Sequence, residues 1–262
     1  MAAVIDLQGI EYWREDRPIL KDLHWTVRQG EHWAVIGENG AGKTTLLNIV
    51  NGYLWPRTGT VEVLGGRYGQ VDLREHRKRI GWVTSSIGER VTSIRPDETA
   101  LEVVVSGRYA TLGLWNRPTA EDRDSARGLL AAFGGAELAD RPFRTLSQGE
   151  QQSILIARTW MAQAELLILD EPCVGLDLRA RERVLSAIEK LGQRADGPTL
   201  LYVTHYAEEI LPLITHVLFI KQGRAVAAGP KAAVLTSSRL SEAFGIDLDL
   251  HWQSGRPWIA VV

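Results

Sequence analysis

The sequence predicts an α/β chain: a mostly parallel sheet, an antiparallel β layer ahead of it and a helical insertion within it. Two patterns carry this prediction. Short apolar runs alternate with amphipathic helical stretches around residues 33–50 and again from about residue 146 to residue 204. Between them, residues 86–145 show helical spacing with no strand-like run. Helices placed between apolar strands imply parallel pairing through crossovers.

Taken in order, residues 1–30 alternate strand-like runs with turns: Val4 to Leu7, Gly9 to Trp13, then Leu23 to Val27 before Gln29-Gly30. This is the antiparallel layer. Trp33-Ala34-Val35-Ile36 is a buried strand, and the stretch carrying Leu46, Leu47, Ile49 and Val50 is a helix. Pro56-Arg57-Thr58-Gly59 turns into a strand from Thr60 to Leu64, closed by Gly65-Gly66, and Arg79 to Val83 is another buried strand. In the helical block, Pro96-Asp97-Glu98 is expected to start one helix. Thr119 to Asp122 has capping-box character before a second, which Gly134-Gly135 ends. A helix from Gly149 leads to the strand Leu166–Asp170, and one from Leu178 to Leu191 leads to Leu200–Thr204. Val217–Ile220 and Ala225–Ala227 flank Gln222-Gly223 as a hairpin. The remainder, about 230–262, forms a small helical and extended cap.

Composition bounds the function. The chain has 262 residues, 45% hydrophobic and 24% charged, as in an ordinary globular protein. Net charge is −2 with no basic tract, which argues against a nucleic-acid partner. Cys173 is the only cysteine, so no internal disulfide forms and a reducing compartment fits. The N-terminus lacks signal-peptide character, and no stretch approaches the roughly 20 apolar residues that span a bilayer. A soluble, cytoplasmic chain is expected.

The chemistry centres on Gly37-Glu38-Asn39-Gly40-Ala41-Gly42-Lys43-Thr44, which lies between the strand at 33–36 and the following helix. This is the context that the G-x-x-x-x-G-K-[ST] pattern requires. Glycines let the loop curl with N–H groups inward, and the helix N-terminus adds partial positive charge, so phosphate oxygens bind there. Lys43 would reach the β/γ-phosphates and the Thr44 hydroxyl would ligate Mg²⁺. A tight strand-to-helix turn with an exposed lysine is the plain alternative, and the full spacing disfavours it. Further along, the strand Leu166–Leu169 ends in Asp170-Glu171. A carboxylate at such a strand end, downstream of a phosphate loop, suits Mg²⁺ at Asp170 and orientation or deprotonation of the attacking water at Glu171. Ser147 and Glu150 make an S-x-x-E capping box, and the same helix start, with Gly149, offers a second anion site.

Gly37 to Thr44, Leu146 to Glu150, Leu169 to Pro172, Gly175-Leu176-Asp177 and Val203-Thr204-His205 stand in the order and spacing of ATP-binding cassette (ABC) ATPases, which this chain resembles over roughly residues 4–230. The resemblance implies a P-loop NTPase core with an antiparallel β subdomain and an inserted α-helical subdomain at about 86–145, all one domain over 1–262. It implies head-to-tail dimers, homo- or heterodimeric, with ATP between one subunit's loop and the other's signature helix. On this resemblance ATP is held by Gly37, Asn39, Gly40, Ala41, Gly42, Lys43, Thr44 and Thr45, and by Ser147 and Gly149 of the opposite subunit. Thr44 and Asp170 hold Mg²⁺, and Glu171, His205 and Lys43 act on the γ-phosphate. Asp177 belongs to the loop that crosses the dimer interface. An aromatic side chain stacks on adenine. Tyr12 and Trp13 face opposite sides of a strand, and Trp13 is favoured.

Two departures stand out. The usual Gly-Gly-Gln of the signature is Gln148-Gly149-Glu150, and Ser85, in Thr84-Ser85-Ser86, takes the place of a metal-contacting glutamine. The resemblance points to the ATPase subunit of a membrane transporter working with a polytopic permease, at the inner face of the membrane when assembled. Tyr109 to Trp115 is a candidate docking surface or subdomain core. Glu31-His32-Trp33, the serines after Val83, and Ser106-Gly107 with Leu112-Gly113-Leu114 resemble a bacterial subgroup labelled molybdenum-transport or photorepair ATPases. The competing class is a soluble cassette ATPase in DNA repair, translation or regulation. Such proteins carry a second cassette, coiled coils or zinc motifs, none of which the sequence shows.

Overall fold

The computed structural model describes residues 2–194 and 196–262, with the side chain of Ser85 outside that description. The chain divides into two compact units, Met1–Arg77 with Thr199–Val262, and Lys78–Pro198.

The first unit opens with β1 (Ala3–Arg14) and β2 (Arg17–Arg28), an antiparallel hairpin. The runs expected as separate around Leu7 and Gly9 form one long strand. Gly9 has φ +61°, and the register with β2 slips between Leu7 and Ile10, so a bulge absorbs the break without ending the strand. Ile5, Leu7 and Ile10 are fully buried, as are Leu20 and Leu23 across from them. At roughly 1.5–3 kcal/mol for each such side chain, this face is what holds the layer. β3 (Trp33–Ile36) is buried at all four positions and leads through the glycine-rich loop into α1 (Lys43–Val50). β4 (Thr58–Val63) pairs with β1, and β5 (Gly66–Arg67) pairs with β4 after a tight turn in which Leu64 and Gly65 both have positive φ. The single turn α2 (Leu73–His76) closes this segment.

The second unit begins with β6 (Ile80–Thr84), which passes directly into α3 (Ser85–Ile94). α4 (Ala100–Ser106) starts later than the expected Pro96-Asp97-Glu98. Its cap is Thr99, whose hydroxyl accepts from the Glu102 N–H while the Glu102 carboxylate accepts from the Thr99 N–H. A reciprocal box satisfies two orphan donors and outcompetes a proline-initiated start. α5 (Ala120–Ala132) is capped by Thr119 and Asp122 as expected. α6 (Gln148–Met161), β7 (Leu166–Asp170) and α7 (Leu178–Gly192) complete the unit, and β6 and β7 pair in parallel from Ile80–Leu166 to Thr84–Asp170. Val103, Leu130, Phe143 and Ile154 form the helical core. The run Tyr109 to Trp115 has mixed character. Trp115 is 62% exposed with the Arg95 guanidinium over its ring, whereas Gly113 is buried. Arg158, whose pKa burial pushes down to about 10, donates to the Thr111 carbonyl at 2.8 Å and holds that run in place.

The chain then returns to the first unit. β8 (Thr199–Val203) lies parallel to β3, and β9 (His216–Lys221) flanks β3 on its other side, also parallel. β10 (Arg224–Pro230) completes the order β10-β9-β3-β8 as the antiparallel partner of β9. After it come α8 (Lys231–Val234), α9 (Ser237–Phe244) and a hairpin of β11 (Leu248–Gln253) and β12 (Arg256–Val261). Among the described residues no helix is long and apolar enough to cross a membrane.

Candidate active site

In the first unit, the loop from Gly37 to Gly42 is shaped by what stands around it. A Cβ on Gly37 would sit 2.2 Å from the Ile220 carbonyl oxygen, so only glycine fits there. Gly42, the N-cap of α1, has φ +108° and is pressed against the Leu20 side chain. Asn39 and Gly40 are exposed at the crown, while Ala41 is buried and its carbonyl accepts from the Gly223 N–H at 2.9 Å. Lys43 is only 6% exposed, and its ammonium donates to the carbonyls of Gly37 (2.8 Å) and Glu38 (3.0 Å). The cation is thus held inside the curl of the loop. The first turn of α1 contains no acidic residue, so the positive end of the helix is not neutralised there. Thr44 is exposed and Thr45 half-buried on that turn.

Two more expected residues lie in this unit. Trp13, near the end of β1, is 36% exposed with the Arg57 guanidinium 5.1 Å from its ring centroid; Tyr12 is half-buried. His205 sits half-buried in the bend just past β8, and the residues on both sides of it are fixed. The Thr204 hydroxyl accepts from the Tyr206 N–H at 3.0 Å and donates to the buried Glu209 carboxylate at 2.6 Å. The Tyr202 hydroxyl donates to the same carboxylate at 3.1 Å. Glu209 has no local signature in the sequence that marks it as buried.

In the second unit, β7 delivers Asp170 and Glu171 at its carboxyl end, both half-buried. Glu171 has φ +51°, a left-handed conformation that a residue with a side chain adopts at a cost of order 1–3 kcal/mol and that clusters at functional sites. The chain then turns through Cys173 to Leu176. The Gln148 side-chain amide donates to the Val174 carbonyl at 3.1 Å, which ties the start of α6 to the turn that follows Glu171. Ser147 is the N-cap of α6: its N–H and hydroxyl each donate to the Glu150 carboxylate at 2.8 Å. These donations, the backbone one first, hold the Glu150 carboxyl below its ordinary range, with Arg141 and Arg183 adding to the effect. A Cβ on Gly149 would meet the Ala180 Cβ at 2.7 Å, so close helix packing also demands that glycine. Asp177 caps α7 by accepting from the Ala180 N–H at 2.8 Å.

The sequence matches the family described as ABC transporter over residues 20–174. The ABC transporter ATP-binding protein YlmA of Bacillus subtilis (strain 168), itself uncharacterized, is 42% identical over 98% of this chain and 96% of its own length. The chain belongs to the ABC transporter family. It is an ATP-binding subunit and an ATP hydrolase of the ABC type. The cobalt import ATP-binding protein CbiO of Rhodobacter capsulatus is 38% identical over 91% of this chain and 85% of that protein. Among solved structures, cbiO1 from Clostridium perfringens, part of the ABC transporter complex cbiONQ, matches with TM-score 0.78 at 24% identity over 92% of this chain and 94% of that one, a likeness of fold.

The departures from the usual ABC pattern have physical counterparts. Gln148, standing where a glycine is usual, contributes the bond to Val174 that a glycine lacks. The segment after Val83 is not a loop. Thr84 stands at the N-cap position of α3 without a side-chain cap bond, its hydroxyl pairing instead with that of Ser86 at 2.7 Å, while the Ser85 side chain lies outside the described residues. No cluster of three or more His, Cys, Asp or Glu suited to a metal occurs among the described residues. Taken unit by unit, the Thr44 hydroxyl in the first and the Asp170 carboxylate in the second are hard oxygen donors.

Proposed function

We propose that this ATPase drives uptake of a small inorganic solute, working as a homo- or heterodimer docked on a polytopic membrane permease at the cytoplasmic face. Glu171 carries the hydrolytic part of the reading: its carboxylate stands just past the end of the parallel strand β7, in left-handed backbone of the kind that functional sites share with ordinary turns.

In this mechanism the loop N–H groups and Lys43 bind the β- and γ-phosphates, and Trp13 stacks on adenine, sharing its ring with Arg57. Glu171 orients the attacking water and accepts its proton as the oxygen bonds to the γ-phosphorus. ADP leaves with the bridging oxygen, and phosphate is released. Lys43 and His205 donate to the transferring oxygens, and Ser147 and Gly149 of the opposite subunit close over the same phosphate. Thr44, and Asp170 through water, would hold Mg²⁺, which neutralises charge on the β/γ oxygens.

Cobalt, from the name of one relative, and molybdate, from the subgroup resemblance, are the two solutes to try first. The test is co-purification with a polytopic membrane protein, followed by uptake of labelled solute into proteoliposomes. ATP-driven uptake that Glu171→Gln abolishes supports the reading. ATPase stimulated by DNA or ribosomes, with no membrane partner, would favour the soluble class.

A further inference from the structure

We propose that the C-terminal segment is a positioning device for His205, acting through Arg256 and Lys231. The proposal rests on the reading that His205 contacts the γ-phosphate.

The bend that carries His205 is held from two sides. On the inner side the buried Glu209 carboxylate takes the Thr204 and Tyr202 hydroxyls. Past the bend, the chain from Glu208 to Pro212 follows a short 3-10 turn outside any strand ladder, and of its main-chain carbonyls that of Leu211 already accepts the Ile214 N–H at 3.1 Å. Charged donors from the C-terminal segment meet three of them. Arg256, the first residue of β12, donates its Nε–H to the Glu208 carbonyl at 2.7 Å. Lys231, the first residue of α8, donates to the Leu211 and Pro212 carbonyls, each at 3.2 Å. The tip of the β11–β12 hairpin lies against the same run, since a Cβ on Gly255 would sit 3.3 Å from Pro212 Cγ. The Trp252 ring lies 5.8 Å from the Lys231 ammonium, and burial lowers that ammonium's pKa.

The hairpin itself buries little. Trp252 and Trp258 are exposed, and Leu248 is among its few buried apolar residues. The helices ahead of it bury Val234, Leu235, Leu240 and Ala243, and beyond that packing the segment places two cations on the five residues that begin three positions after His205. Charge-assisted hydrogen bonds are roughly twice as strong as neutral ones, and they fix direction as well as distance. That is what a donor aimed at a transferring phosphoryl group requires, because a misplacement of about 1 Å can cost on the order of 100-fold in rate.

The test is a double-mutant cycle on the full chain, reading kcat and the ATP dissociation constant for Arg256→Ala, His205→Ala and the pair. Arg256→Ala should lower kcat roughly tenfold with ATP affinity unchanged, and should cost nothing further once His205 is alanine. Arg256→Gln should restore most of the loss, because its amide nitrogen stands as many bonds from Cα as the arginine Nε. Equal losses in both His205 backgrounds, or no loss in Arg256→Ala, would overturn the proposal. Wild-type turnover in His205→Ala would instead overturn the reading beneath it. If Arg256→Ala melts at the assay temperature, Lys231→Met takes its place in the cycle with the same expectations.

Discussion

Gly223 donates its N–H to the Ala41 carbonyl at 2.9 Å, so the tip of the β9–β10 hairpin braces the phosphate loop from a distant part of the sequence. Its own carbonyl accepts from the Lys21 N–H at 2.9 Å. With φ +81°, and with any Cβ falling 2.1 Å from the Ile19 carbonyl oxygen, the position admits only glycine. Gly223→Ala should therefore displace the hairpin tip and weaken ATP binding tenfold or more, with a loss of stability above about 2 kcal/mol. Gly30→Ala is the control: it shares a positive φ, has open space around it and lies outside the phosphate loop, so it should cost about 1–2 kcal/mol of backbone strain with ATP binding unchanged. Urea unfolding together with nucleotide titration separates the two. Equal effects would show that the brace is unimportant.

Glu171→Gln should retain ATP binding and lose turnover by about 10²–10⁴-fold, the usual worth of a positioned general base. Lys43→Ala should act on binding instead, since its buried ammonium sits inside the loop on the Gly37 and Glu38 carbonyls. Steady-state hydrolysis beside equilibrium binding reads the difference. Near-normal turnover in Glu171→Gln would remove the carboxylate from the mechanism.

Ser147 is exposed at the start of α6 while its hydroxyl is engaged with Glu150, so a bulky cation there would block a facing subunit without emptying the helix core. Glu171→Gln protein saturated with ATP should run as a dimer in light scattering. The further change Ser147→Arg should return it to monomer. A dimer that survives Ser147→Arg would place the interface elsewhere.

What the sequence made legible followed from period and spacing. The loop at 37–44, the strand end at Asp170, the Thr119 and Ser147 caps and the parallel pairing through β3 each leave a local signature. What it hid depends on contacts between distant segments. The Gln222-Gly223 pair announces a hairpin but not its seat on Ala41, and nothing local to Glu209 shows that Tyr202 and Thr204 close on it. The later start of α4 is written in Thr99 and Glu102, whose capping box overrides the start that Pro96 suggests. Gly149 shows the limit from the other side: a glycine fitting for phosphate approach is equally required by its contact with Ala180.

The Ser147–Glu150 box gives a pH signature of its own. The Glu150 carboxyl is held below its usual range chiefly by the Ser147 N–H, then by the Ser147 hydroxyl, with Arg141 and Arg183 adding to it and burial opposing. A carboxylate whose folded pKa is depressed stabilises the fold at pH above its unfolded value, about 4.3, and that contribution is lost as pH falls through the folded pKa. Glu150→Gln keeps an acceptor for the Ser147 N–H but removes the charge. At pH 7 the wild type should be the more stable by about 1 kcal/mol, the scale of a cap interaction. The gap should narrow as pH falls below about 4, because the wild-type carboxyl then also becomes neutral. Urea unfolding of both proteins from pH 7 down to pH 3 measures it. A gap that stays constant across that range would mean the box holds by geometry alone, with no share from the carboxylate charge.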